Sequence, residues 1–292
     1  MFGNIIHEMC MKKVFSHSSI NTFKQCPMLF KYKYIDKLIP LADDNKNLSI
    51  GRAFHYGVEK QSSEEALKMM DSDEFFMTEE NETNKVIVMA MVDAFLEKYP
   101  ESKTWIHEQT MTYKLLEEST EDDFILIIDG LEEHENGYYI IELKTASMIN
   151  DSYVKKLDFI DQPNRYYYVA ERVLGKPILG IKYYVVKKPM LRQKKDETVE
   201  QFRARLVERI KEDDSTMKFE LFRTKEQIED CIEDTKYDMR MINATTRYTK
   251  NLCGCSLYGT CPYIDLCRGV DNADLLFTRK EDENVTREQE SE

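Results

Sequence analysis

The stretch IIELKTAS, residues 140–147, decides how this chain is read. Its apolar residues make a β-type run, and Glu142 and Lys144 stand in it with one residue between them. Side chains on a strand alternate between its faces, so the carboxylate and the ammonium point the same way. On the wet face of an antiparallel strand such a triplet is ordinary decoration. Inside a buried-looking run it needs a reason, and the neighbouring sequence has to supply it.

Just upstream lies DDFILIIDGLEE (122–133), a second short apolar run with Asp129 at its tip. GLEEHENG (130–137), rich in turn formers, joins the two runs as a hairpin or β-meander. Considered alone, Asp129 before Gly130 is a turn-capping aspartate. Paired as a hairpin, however, the strands bring Asp129 and Glu142 within reach of one ion. Two close carboxylates repel unless a cation lies between them. Hard oxygen ligands suit Mg²⁺ or Mn²⁺. Beside such an ion Lys144 can orient a water for attack on phosphorus, or offset charge building in the transition state.

Two more pairs fall into line. GRAFHYGVE (51–59) sets His55 and Glu59 at i, i+4 on one helical face. A lone histidine is commonly structural, but imidazole is a good Mn²⁺ ligand. QPNRY (162–166) sets Gln162 and Tyr166 at i, i+4, where both can donate to a phosphate or a base. The bland alternative is an exposed helix face.

The rest of the chain gives the architecture. SHSSINTFKQCPMLFKYKYIDKL (16–38) opens with helix-capping serines and is broken or restarted at Pro27. GRAFHYGVEKQSSEEALKMM (51–70) reads as a second helix beginning after Gly51. TNKVIVMAMVDAFLEKYP (83–100) reads as a third, ended by Pro100. The period then shortens through TWIHEQTMTYKLL (104–116) and the two runs above. DQPNRYYYVAERVLG (161–175) returns to helix, closed by Gly175, and PILGIKYYVVKKP (177–189) is another strand. Two long polar helices follow over 197–212 and 224–246. This order predicts an α/β (α+β) domain around a small mixed central sheet flanked by helices. It has no internal repeat and no phosphate-binding G-x-x-x-x-G-K-[ST], so an ATP motor is not expected. The domain boundaries read as an extension over 1–15, one domain over 16–270 and an acidic disordered tail over 271–292.

The chain has 292 residues, 42% hydrophobic and 33% charged, a globular composition. No apolar run approaches the roughly 18 residues of a membrane span, and the N-terminus lacks a signal-peptide layout, so the reading is cytoplasmic with no membrane. The net charge of −13 argues against nucleic acid as a partner when taken whole. Charge is local, though. IKYYVVKKPMLRQKK (181–195) carries Lys182, Lys187, Lys188, Arg192, Lys194 and Lys195 with no acid among them. It is either a solvated run or a phosphate-facing edge.

Seven cysteines occur, four of them within CGCSLYGTCPYIDLC (253–267). In a cytosolic chain such a cluster reads as metal or iron–sulfur before disulfide. Zinc ribbons prefer C-x₂₋₄-C knuckles, which are missing here, so zinc is the weaker reading. Thiolates from distant parts of a chain can hold a four-iron cluster. The even spacing of Cys255, Cys261 and Cys267 lets three thiolates converge, while a turn at Gly254 leaves Cys253 open as a replacement for Cys255. Cys10 and Cys231 read as bystanders.

In this order INTFKQCPMLFKYKY, GRAFHYGVE, IIDG, IELKT, QPNRYYY and the C-terminal C-x₅-CPYIDLC resemble the RecB-like, iron–sulfur branch of the PD-(D/E)XK nuclease superfamily, over roughly residues 16 to 268. Similar members include AddB nuclease domains, CRISPR-associated exonucleases and phage relatives. The resemblance implies a restriction-endonuclease-like core whose ends are joined by a cysteine-ligated cluster. It implies metal binding by His55, Asp129, Glu142 and the carbonyl of Leu143, with Lys144 as the catalytic lysine beside Asp129 and Glu142. Gln162 and Tyr166 match the DNA-contacting Q-x₃-Y motif. Cys26, Cys255, Cys261 and Cys267 would hold a [4Fe–4S] cluster. The CRISPR-associated members carry a C-x₂-C pair before the last cysteine, whereas residue 258 here is Tyr, and a fifth cysteine is present.

The leading expectation is a Mg²⁺- or Mn²⁺-dependent DNA nuclease, an exonuclease, acting in DNA processing, recombination or repair. Its partners are DNA, through Gln162, Tyr166, Lys187, Lys188 and Lys194, and a recombination, repair, CRISPR or phage protein. The alternatives are a non-catalytic nucleic-acid-binding or assembly module with a structural metal or iron–sulfur site, and a zinc protein without nuclease activity.

Overall fold

The computed structural model describes residues 14–279 except 42–45, 78–80 and 258. Cys10 and the acidic run 281–292 lie outside the described residues. Phe15 is buried and already tied to the sheet: its N–H donates to Asp123 O and its carbonyl accepts from Ile125 N, both at 2.8 Å. Helix α1 (His17–Gln25) starts under a capping box in which Ser16 and Ser19 exchange hydrogen bonds. Cys26 is extended (φ −163°, ψ 112°), and Pro27 restarts the chain as α2 (Pro27–Phe30), which runs into a π-turn over 31–35. Strand β1 (Leu38–Pro40) follows.

The helix expected over 51–70 is two helices. α3 (Lys46–Glu59) begins before Gly51. Gln61 then takes a left-handed φ of 53°, and Ser62 caps α4 (Ser63–Asp71) by accepting from Glu65 N–H. The polar residues between Glu59 and Glu65 carry no apolar period that could mark the break; the Ser62–Glu65 capping pair was the available signal. α5 (Glu82–Lys98) packs against both.

Strands β2 (Ile106–Tyr113), β3 (Phe124–His134) and β4 (Gly137–Ala146) form the expected meander. α6 (Asp151–Lys156) and α7 (Gln162–Leu174) then cross over to β5 (Ile178–Lys187), which lies parallel to β4. α8 (Val199–Lys211), β6 (Thr216–Leu221) and α9 (Lys225–Ala244) complete the layer architecture. The strand order is β2-β3-β4-β5-β6, and every pair except β4–β5 is antiparallel. The sheet is therefore mixed, flanked by helices on both faces, as the pattern predicts.

Alternate residues of the central strands feed opposite cores. Ile141, Leu143, Tyr184 and Val186 meet Phe54, Phe95 and Phe202 on one side. Ile140, Ile181, Tyr183 and Val185 meet Ile20, Tyr167, Val169 and Met239 on the other. The parity of β4 thus assigns Glu142 and Lys144 to the face covered by α1 and α7.

The described segments nearest the two termini close on each other. Met28 N–H donates to Thr249 O, and Asn251 Nδ2 donates to Gln25 O. Past α10 (Ile264–Arg268), regular structure continues beyond residue 271: β7 (Phe277–Arg279) pairs antiparallel with β1. Tyr263 lies between Tyr32 and Phe277 in stacked contact and donates its hydroxyl to Leu38 O.

Candidate active site

The ladder between β3 and β4 runs from His134↔Gly137 only to Gly130↔Ile141. Beyond that pair the Asp129 side chain replaces a strand partner: its Oδ2 accepts from the backbone N–H of Leu143 at 2.7 Å. Asp129 Oδ1 lies 2.8 Å from His55 Nδ1, so α3 delivers its imidazole to the tip of β3. On β4 Glu142 is 3% exposed, and Lys144 donates to its Oε1. Asp129, Glu142, Lys144 and His55 are thereby gathered where the two strands part.

The electrostatics follow from this crowding. Burial pushes the Glu142 carboxyl up and Asp129 pushes the same way, while Lys144 pulls down; the net direction is upward. Burial raises Asp129 as well, but the His55 and Lys144 charges and the Leu143 amide outweigh it and leave it below the ordinary value. His55 is lowered by burial and raised more by Asp129. For Lys144, burial is outweighed by Glu142 and Asp129, and the ammonium is held.

Two carboxylates, an imidazole and the nearby Leu143 carbonyl form a hard donor set suited to Mg²⁺ or Mn²⁺. Among the described residues no three or more His, Cys, Asp or Glu side chains stand close enough together to hold an ion as they are. The carboxylate lone pairs are turned instead to His55, to Lys144 and to the Leu143 amide.

Gln162 and Tyr166, on the first turns of α7, meet each other at 2.5 Å. The Tyr166 hydroxyl also donates to Ile127 O at 3.2 Å, and it abuts Glu142, which with burial drives its pKa well up. The basic run separates from this group. Lys182 is 12% exposed and paired with Glu132 of β3 at 2.6 Å, so it is not available to a phosphate. The acid missing from its own segment is supplied by another strand. Lys187 and Lys188 line a hollow with Met190 and Arg209, and Lys194 lines another with Glu197 and Gln201. Neither hollow includes the carboxylates, although Lys188 N–H donates to Ala146 O, two residues beyond Lys144.

Four cysteines face one small hollow of about 30 Å³: Cys26 from the α1–α2 junction, and Cys255, Cys261 and Cys267. Burial raises the Cys261 and Cys267 thiols, and the other cysteines of the group add to it. Cys253 is exposed and outside the hollow, and Cys231 is buried on α9. Gly254 suits the closeness of the two segments, because a Cβ there would lie 3.0 Å from Gln25 O, a tight contact.

Sequence reasoning missed four groups. His107 and Glu108 line the small cleft beside His55, Glu59 and Asp129, at an irregularity of β2 where Glu108 takes a φ of 22°. His17 and Arg165 meet beside Tyr166. None stands in a spaced motif; the capped start of α1 was the one local signal for His17.

Fold and site together define a nuclease. The chain belongs to the PD-(D/E)XK nuclease superfamily, which it matches over residues 14–268. The crystal structure of an exonuclease candidate from Eubacterium rectale is similar, with a TM-score of 0.56 over 99% of this chain and 97% of that one. At 12% identity that likeness shows the shared fold. No curated protein matches the sequence significantly. Among the described residues no helix is long and apolar enough to cross a membrane.

Proposed function

We propose that the protein is a divalent-metal-dependent deoxyribonuclease that works as an exonuclease in recombination, repair or a CRISPR- or phage-related process. The observation that carries the reading is the meeting of Asp129, Glu142, Lys144 and His55 at the point where β3 and β4 part. His55, Asp129, Glu142 and the Leu143 carbonyl would hold Mg²⁺ or Mn²⁺, which when bound supplies Lewis acidity and lowers the pKa of water. Lys144 would give up its bond to Glu142 and donate instead to the attacking water or to the phosphoryl oxygens, where negative charge develops. Gln162 and Tyr166 would position the strand from the α7 side. Lys187, Lys188 and Lys194 would steer phosphates further out.

We also propose that Cys26, Cys255, Cys261 and Cys267 hold a [4Fe–4S] cluster. A zinc ion bonded at about 2.3 Å draws its four sulfurs to within about 4 Å of one another. The thiols here line a common hollow. A four-iron cluster takes each thiolate on a separate iron and spreads them wider. The six described cysteines form no disulfide with one another, as thiols kept for a metal group would.

The test is degradation of end-labelled linear DNA and of circular DNA with Mg²⁺, with Mn²⁺ and with chelator. Release of short products from linear DNA alone, lost in chelator, is expected. Nicking of circles would make the enzyme an endonuclease. DNA binding without cleavage in either metal would favour a non-catalytic binding module.

A further inference from the structure

Between the first turn of α1, the start of β3 and the first turns of α7 lies a hollow of about 160 Å³. We propose that it is a phosphate-binding site, separate from the point of cleavage, that seats another phosphate of the DNA strand being cut. The proposal deepens the nuclease reading above and rests on it for the identity of the strand.

The central observation is a buried cation with too little negative charge around it. Arg165 lines the hollow and is 1% exposed. Its Nε donates to the Thr235 hydroxyl at 2.9 Å, and its Nη1 meets His17 Nδ1. Both partners are neutral. His17 is driven down to about 3 by burial, then by Arg165 and Lys144, so its Nδ1 offers a lone pair and no charge. The carboxylate near Arg165 is Asp161, 3.6 Å away and 43% exposed. A buried charge is costly unless it is paired, and a long contact to a hydrated carboxylate compensates it weakly. An anion in the hollow would complete the pairing.

The other walls suit the same ligand. Ser16 and Ser18 bring hydroxyl donors and Gln162 its amide, with Tyr166 closing the wall. The first turn of α1 adds the positive end of a nine-residue helix. At about 160 Å³ the hollow is large enough to admit a phosphate group. Tyr166 is the wall shared with the cleavage point, because its hydroxyl abuts Glu142. Lys144 lies near enough to His17 to lower its pKa. A phosphate seated here therefore belongs to the same strand, next to the bond being cut. It is either a terminal monophosphate or an internal phosphodiester, which carry the same oxyanion chemistry.

The test measures binding in chelator, where no hydrolysis interferes. The probes are a fluorescent DNA tetranucleotide with a 5′-phosphate, its 5′-hydroxyl twin, and inorganic phosphate as competitor. Ser18 is exposed and early in α1, where a glutamate suits the helix, so Ser18→Glu should fold normally and put a negative charge at the mouth of the hollow. It should weaken binding of the phosphorylated probe at least ten-fold, as should Arg165→Gln if that variant folds. Val173→Glu, the same charge near the far end of α7, should bind like the parent protein. A preference for the 5′-phosphate probe that Ser18→Glu abolishes assigns a terminal monophosphate. Equal binding of both probes, lost equally in Ser18→Glu, assigns an internal phosphodiester. Unchanged binding in Ser18→Glu, or an equal loss in Val173→Glu, overturns the site. Absence of cleavage in Mg²⁺ with the binding difference intact would instead sink the nuclease reading and leave the phosphate site standing.

Discussion

On β4 the Glu142 carboxylate and the Lys144 ammonium each set the charge of the other. Removing the lysine leaves a buried carboxyl that burial and Asp129 both push toward the neutral form. Lys144→Ala should therefore lose cleavage by about 10²-fold or more while still binding Mn²⁺, because the donor atoms remain. Glu142→Ala should lose cleavage and Mn²⁺ affinity together. Rates on linear DNA and calorimetric Mn²⁺ titrations separate the two, and a Lys144→Ala protein that cuts at the parental rate defeats the assigned role. The His55–Asp129 pair gives a pH signature in the metal-free protein. His55 is raised, so its contribution to stability is full below its ordinary value of 6.5 and is lost as pH rises through the folded value. Asp129 is lowered, so its contribution is full above 3.8 and is lost as pH falls through the folded value. Both are present together between those ordinary values. Thermal melts of His55→Ala in chelator should show a larger deficit near pH 5 than near about pH 9; equal deficits would mean that the pair carries no charge. Strand alternation made Glu142, Lys144 and Asp129 legible in the sequence. His17, Arg165, His107 and Glu108 were not, because single polar residues brought together by packing leave no period behind.

α3 owes its position to a glycine. A Cβ at Gly57 would lie 2.6 Å from Val92 Cγ2 on α5 and 2.9 Å from the Cβ of Ala66 on α4. In an exposed helix, Gly→Ala would stabilise by about 1 kcal/mol through propensity. Here overpacking should dominate, costing about 1–3 kcal/mol. The same displacement would move His55, two residues earlier, away from Asp129. Gly57→Ala should thus lower the melting temperature and weaken Mn²⁺ binding together, and a rise in melting temperature would show that α3 is free to slide. Elements with a clear period or an apolar run bounded by breakers were readable: α5, α7, β3, β4 and β5 lie where the apolar residues place them. β6 was not, since TMKFEL is a short edge strand with only its two end residues buried, and it sits between two long polar helices. β1 and β7 exist through pairing with each other across the length of the chain, which no local pattern records.

Over the whole molecule, the decisive contacts join residues near 26–40 to residues near 249–279. They already include the β1–β7 pair, the Tyr263 stack and the bonds around Gln25 and Asn251. A cross-link between Cys26 and the C-terminal cysteines would close a loop of more than two hundred residues. By chain-entropy reasoning such a closure restricts the unfolded chain by about 5 kcal/mol, comparable with the whole stability of a typical domain. The cluster would then be a folding staple, with its binding free energy realised as folding free energy. Cys26→Ser and Cys255→Ser should each lose iron and soluble protein together. Cys253→Ser, which alters an exposed thiol outside the hollow, should retain both and stay brown. The iron content and soluble yield of the three variants, purified without oxygen, decide the matter. Loss of iron in Cys253→Ser with retention in Cys255→Ser would exchange the two ligands. Full iron and yield in Cys26→Ser would mean that the strand pair and the tyrosine stack hold the ends without any staple.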